Sequence, residues 1–148
     1  MSVIFSKSCE YAFQAVLYLA SRPQNEPILL REVSDRLDIP HHFLSKVLQT
    51  LSRDGIVTSY KGATGGFVLG RSPKEIKLID IVRATDGEKF LDDCVLGFPG
   101  CGDQNPCSVH HTWKKAKKIL LDMLNTKNVA QLSKEIDAKL ELVQQLAK

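Results

Sequence analysis

The sequence predicts a mainly α chain with one small β-hairpin, and three observations carry that prediction. Two amphipathic stretches, "ILLREVSDRL" and "HHFLSKVLQTLSRDG", are separated only by the turn "DIP". Strand-favouring residues follow at once in "IVTSYKGATGGFVLG", split by a glycine-rich loop. A further long amphipathic stretch begins at Thr112.

Each element follows from its own spacing. From Ser8 to Ser21 the residues Tyr11, Ala12, Ala15, Val16, Tyr18 and Leu19 recur at helical intervals, and the two prolines of "RPQNEP" end the run. In the second helix Leu30, Val33 and Leu37 share a face, while Arg31, Glu32, Asp35 and Arg36 lie outside it. Pro40 suits the first turn of a third helix, which is expected to turn Phe43, Leu44, Val47, Leu48 and Leu51 inward. Gly55 supplies a left-handed cap. Ile56, Val57, Thr58 and Tyr60 then pair as strand with Phe67, Val68 and Leu69 across "KGATGG". Two helices on a tight turn with a hairpin directly after them make a winged helix-turn-helix. A short helix in "IKLIDIVRATDG" and a cysteine-rich loop lead to the last helix, which is expected to break near Asn125. Its stripe of Ala116, Ile119, Leu120, Met123 and Leu124 is one apolar face, suited to packing within the subunit or against a second copy. The expected organisation is a DNA-binding domain over residues 1–80, a linker helix and cysteine loop over 81–111, and a C-terminal dimerisation helix over 112–148.

Composition sets the limits. At 148 residues and 43% apolar the chain has material for one real core. No apolar run approaches the roughly 20 residues of a membrane span. The first residues lack the continuous apolar core of a secretion signal, Glu10 interrupting them, so a cytoplasmic protein is expected. The net charge of +3 is uneven. Residues 61–77 carry Lys61, Arg71, Lys74 and Lys77 against Glu75 alone, whereas residues 78–112 are acidic. Residues 113–148 are again basic, so any nucleic-acid contact should lie outside the cysteine stretch.

In a helix-turn-helix the second helix enters the major groove and its outward side chains meet base edges. Those positions are His41, His42, Ser45, Lys46 and Gln49, with Thr50 at the margin. In the wing Lys61, Thr64 and Gly65 are the candidates, because a glycine-rich tip lets backbone amides press on phosphates.

The stretch "CVLGFPGCGDQNPCSVHH" holds Cys94, Cys101 and Cys107. In a reducing compartment clustered thiols indicate metal or redox chemistry rather than disulfides. The gaps exceed those of zinc knuckles and suit a larger object, an iron–sulfur cluster. Gly97, Gly100 and Gly102 let amides turn toward the sulfurs. His110, three residues after Cys107, is the candidate fourth ligand, and Cys9 is expected to be a buried small hydrophobe.

These residues together resemble the Rrf-type winged-helix iron–sulfur transcription regulators. The resemblance spans "EYAFQAVLYLA", the segment from "LREVSDRLDIP" through "IVRATDG", and the three-cysteine loop with the helix after it. The wing "KGATGGFVL" is similar to the family's "RGPGGGY", with Lys61 standing for arginine. The resemblance implies a homodimer on two-fold operator DNA, with a cluster held by Cys94, Cys101 and Cys107. In some members the fourth ligand is a histidine placed as His110 is. In others it is an acidic residue of the partner's first helix, the position of Glu10. Both are present; the nearer His110 is favoured. A [2Fe–2S] cluster is preferred and [4Fe–4S] stays open, because the first cysteine gap is one residue longer than in many members.

The function expected is that of a sequence-specific transcription regulator, repressor or activator, whose operator binding is controlled by an iron–sulfur cluster sensing redox state, nitric oxide or iron–sulfur status. Two alternatives stand beside it: a zinc-bound or cluster-free thiol regulator, and a small redox protein. No glycine-rich nucleotide loop or catalytic carboxylate pair marks an enzyme, and no small-molecule substrate or membrane partner is expected.

Overall fold

A computed structural model describes residues 4–146. The outermost limits expected for the first and last domains lie outside the described residues. Helix α1 (Lys7–Ala20) starts where the Ser6 hydroxyl accepts the Cys9 amide at 3.1 Å. Helices α2 (Leu30–Leu37) and α3 (His41–Arg53) are joined by a turn in which Asp38 adopts a left-handed φ of 54°. The Ile39 amide there reaches back to the Ser34 carbonyl at 3.1 Å. This seals the end of α2 and lets α3 leave within three residues.

Strands β1 (Val57–Tyr60) and β2 (Gly66–Leu69) pair antiparallel, Val57 opposite Leu69 and Tyr60 opposite Gly66. Ile28 adds a bridge on the far side of β2, exchanging hydrogen bonds with Phe67 at 2.8 and 3.0 Å. The wing is thereby fixed to the segment between α1 and α2. Helix α4 (Leu78–Thr85) is capped by Asp80, whose carboxylate accepts the Lys77 amide at 2.9 Å. A single turn, α5 (Lys89–Asp92), precedes the cysteine loop, and α6 (His110–Thr126) follows it.

The long helix stops at Thr126, next to the expected break, and the chain then turns back. Helices α7 (Val129–Leu132) and α8 (Ile136–Leu146) lie against α1. The Val129 amide bonds the Ile76 carbonyl at 2.9 Å, and Arg22 pairs with Asp137. The main core accordingly draws Val16 from α1, Leu44 and Leu48 from α3 and Ile56 beside the wing, and also Val129, Ile136 and Leu140 from the returning chain. Apolar burial of this kind is what stabilises the module. A second cluster of Cys9, Ile79, Val82 and Leu124 joins α1, α4 and α6. Leu124 is the one fully buried residue of α6 among the described residues.

Phe43 departs from expectation. The ring stands 49% exposed, leaning on His42 with centroids 4.3 Å apart, while Leu44, Val47, Leu48 and Leu51 supply the inward face. Position 43 lies at the margin of that stripe, where one step of helical rotation decides burial. No helix among the described residues is long and apolar enough to cross a membrane.

Candidate functional site

On α3 the sequence-derived reading face is presented outward: His41, His42, Lys46 and Gln49 are exposed, and Ser45 and Thr50 are half-exposed. Thr50 turns its hydroxyl back to the Lys46 carbonyl at 3.1 Å. In the wing Lys61 and Thr64 are exposed. Gly65 is not. It is buried, and its amide donates to the Gly62 carbonyl at 3.0 Å. A side chain there would run into the Tyr60 carbonyl and the Lys61 and Gly62 backbone. Gly65 therefore shapes the wing turn from inside, and its amide is already engaged rather than open to a phosphate.

The cysteine loop brings its three sulfurs together. The Sγ atoms of Cys94, Cys101 and Cys107 lie within 4.8 Å of one another, and Cys94 and Cys107 are 3.6 Å apart. None of the three is in a disulfide. Gly97, at φ 82°, reverses the chain so that its amide closes on the Cys94 carbonyl at 2.9 Å. The Cys107 amide points at the Cys101 sulfur at 3.4 Å. The loop hangs from α6 by the Trp113 indole, which donates to the Asp93 carbonyl at 3.1 Å.

His110 opens α6, its amide bonded to the Cys107 carbonyl at 3.1 Å. One ring nitrogen, Nδ1, lies 3.6 Å from the Cys101 sulfur. The other, Nε2, lies 2.9 Å from Asp103, which also accepts Lys114 Nζ at 2.8 Å. Sequence reasoning missed Asp103. No spacing rule announces it, because only the turn of the loop brings it beside a histidine seven residues later.

The thiols differ in acidity. The Phe98 amide, with smaller help from the Leu96 amide and the two other sulfurs, lowers Cys94 to about 7 against the opposing effect of desolvation. At Cys101 the Cys107 amide acts to lower the value, but desolvation and the neighbouring sulfurs together outweigh it and the thiol is raised. Hydrogen bonds from Lys114, then His110, hold Asp103 down at about 2. Burial pushes Cys9 up to about 11, and it packs against α4 as a small apolar side chain. Glu10 sits in the first turn of α1, paired with Lys7 at 3.2 Å. It belongs to neither donor group found among the described residues, the three cysteines being one and Asp103, His110 and His111 the other.

The donor set fits a soft metal centre. Two thiolates on one tetrahedral metal, with metal–sulfur bonds of about 2.3 Å, stand roughly 3.8 Å apart. The Cys94–Cys107 separation of 3.6 Å meets that, and the Cys101–His110 pair stands at the same distance. A cavity of about 220 Å³ lined by Phe98, Pro99, Cys101, Asn105, Pro106 and Cys107 opens beside the sulfurs.

Comparison with known proteins gives the lineage. The family model described as "Rrf2: Iron-dependent Transcriptional regulator" matches residues 5–135. An HTH-type transcriptional regulator of Aquifex aeolicus (strain VF5) is 33% identical over 132 residues, spanning 88% of this chain and 91% of its own. The HTH-type transcriptional regulator IscR of Pectobacterium carotovorum is 30% identical over 122 residues, spanning 82% and 74%. Among solved structures, IscR of T. potens superposes with a TM-score of 0.71 at 26% identity, over 91% of this chain and 89% of that one. CymR, the global cysteine regulator of B. subtilis, superposes with a TM-score of 0.74 at 23% identity, over 89% and 97%, a likeness of fold. With its helix-turn-helix, wing and long α6, the chain belongs to the Rrf2 family of transcriptional regulators, which bind DNA and are not enzymes.

Proposed function

We propose that this chain is a homodimeric, cytoplasmic regulator whose hold on a two-fold operator is governed by an iron–sulfur cluster bound by Cys94, Cys101, Cys107 and His110. The observation that carries the reading is the convergence of three sulfurs within 4.8 Å on a loop strung between α5 and α6. The preference for [2Fe–2S] over [4Fe–4S] follows the resemblance, and the histidine beside Cys101, 3.6 Å from its sulfur, supports a mixed thiolate and imidazole ligand set. The neighbouring cavity adds room that one ion would not need. A single zinc is the second reading, favoured by the compactness of the three-sulfur group. Glu10 stays a candidate ligand only from a second subunit.

When bound, the cluster supplies a centre that oxidation, nitrosylation or iron loss can dismantle. The chain's own residues do the rest. His41, His42, Ser45, Lys46 and Gln49 meet base edges and phosphates in the major groove, and Lys61 and Thr64 meet the backbone beside it. The chain that leads through α5 to the cysteine loop leaves α4 at Asp86, whose carboxylate accepts both the amide and the hydroxyl of Ser6 at the start of α1. α1 and α4 each pack on α3. A loop that changes shape therefore pushes on the elements that seat the reading helix. A coupling of about 1–3 kcal/mol is enough for regulation.

The exposed residues of α6 support the dimer: Ile119 is 73% and Met123 45% exposed, on the stripe shared with Ala116 and Leu120. Two reading helices related by that contact would meet half-sites about 34 Å apart, or a multiple of it. The test is iron and sulfide analysis of protein purified without oxygen, followed by operator-shift assays with and without the cluster. Visible charge-transfer absorption, acid-labile sulfide, and an operator affinity that changes with the cluster are expected. Colourless protein with one zinc per chain, or operator binding indifferent to the cluster, would sink the proposal.

A further inference from the structure

We propose that Asp103 is a positioning residue: it holds His110 in the Nε2–H form, so that Nδ1 is the atom offered beside Cys101. The inference rests on the reading of the cysteine loop as a metal centre and adds to it which nitrogen binds and what selects it.

Two independent anchors fix the ring. The backbone of His110 is tied to Cys107 through its amide, and the side chain is only 13% exposed. The two ring nitrogens face different chemistry. Nε2 meets a carboxylate oxygen at 2.9 Å, and Nδ1 meets a sulfur at 3.6 Å. An ionised carboxylate only accepts hydrogen bonds, so Nε2 is the donor. An imidazole that binds a metal is neutral and carries one N–H; with that proton on Nε2, the lone pair offered to a metal is on Nδ1, facing the sulfur site. Histidine ligands are commonly oriented this way, by a carboxylate on the nitrogen away from the metal.

Asp103 is itself held on both sides. It sits in a tight turn closed by reciprocal hydrogen bonds between Gly102 and Asn105, at 3.1 and 3.3 Å. From α6, Lys114 reaches both of its carboxylate oxygens, at 2.8 and 3.1 Å. Lys114 and His110 are one helical turn apart, so α6 supplies both the ligand and the clamp on its orienting carboxylate.

Two measurements test the proposal. Nitrogen-15 NMR of the reduced, metal-free protein should find His110 protonated at Nε2, with a proton slow enough in exchange to be seen. Asp103→Ala should remove that signal, and Asp103→Asn, which keeps an acceptor oxygen, should retain it. In cluster-loaded protein, Asp103→Ala should speed loss of iron to a chelator about 10-fold or more, with Asp103→Asn much closer to wild type. A His110 signal indifferent to Asp103→Ala overturns the proposal, as does unchanged iron loss. Wild type without iron or sulfide would instead remove the cluster reading, and the NMR comparison would then decide the assignment of Asp103 alone.

Discussion

Leu124→Ala tests how α6 is seated. Leu124 is fully buried against Cys9, Ile79 and Val82, whereas Ile119 on the same helix is 73% exposed. The substitution removes three carbons, roughly 2.4 kcal/mol of transfer free energy at about 0.8 kcal/mol each. Incomplete collapse of the cavity brings the expected loss to about 3–4 kcal/mol. With a urea slope of about 2 kcal/mol per molar, the midpoint should fall by about 1.5–2 M. The partner experiment is Ile119→Ala. In one subunit its loss should stay within about 0.5 kcal/mol, as for an ordinary surface position. Covered by a second copy, the same change weakens the dimer, so its effect grows as unfolding is followed across protein concentration. The assay is urea unfolding by circular dichroism over a wide range of concentration, with sedimentation to read the oligomer. A Leu124→Ala loss under about 1 kcal/mol would refute the seating of α6 described above. An Ile119→Ala effect that ignores concentration would refute its place in a dimer.

Other outcomes are equally specific. Gly65→Ala should cost about 1–3 kcal/mol through the collision with the Tyr60 carbonyl, seen as a lower melting point and weakened operator shift. Lys46→Ala, or Lys61→Ala, should weaken operator binding across sequences and reduce the salt slope of the affinity by about 1 if each meets a phosphate. The thiol of Cys94, lowered to about 7, should react with iodoacetamide in metal-free protein at a rate that climbs as pH rises through about 7 and is lost below it, where the thiol holds its proton. Cys9, buried and raised to about 11, should stay unmodified across that range, as peptide mapping by mass spectrometry would show.

What the sequence disclosed and what it hid follow from the range of the interactions involved. α2, its turn and α3 were legible because the spacing of Val33, Leu37, Leu44, Val47, Leu48 and Leu51 is a local statement about one face. The cysteine triad was legible because its donors lie close in sequence. Phe43 was misassigned because a residue at the edge of a stripe is buried or exposed by its neighbours, not by its own period. At Gly65 a glycine-rich tip looks permissive in sequence, whereas the Tyr60 carbonyl behind it leaves no room for a side chain. The return of α7 and α8 onto α1 was hidden altogether. It rests on pairings such as Arg22 with Asp137 and Val129 with Ile76, which no periodicity encodes.

That return has a consequence for synthesis. Val129, Ile136 and Leu140 share a core with Val16 and Leu48, so the helix-turn-helix lacks part of its interior until the chain near position 140 has left the ribosome. At about 5–20 residues per second, the roughly seventy positions between the wing and Leu140 need on the order of 4–14 s to appear. Over that interval the part of α1 that α7 and α8 cover is exposed in the nascent polypeptide and open to chaperones. A message truncated after the wing would therefore release a chain with an unfilled core, a target for proteolysis rather than a free-standing DNA binder.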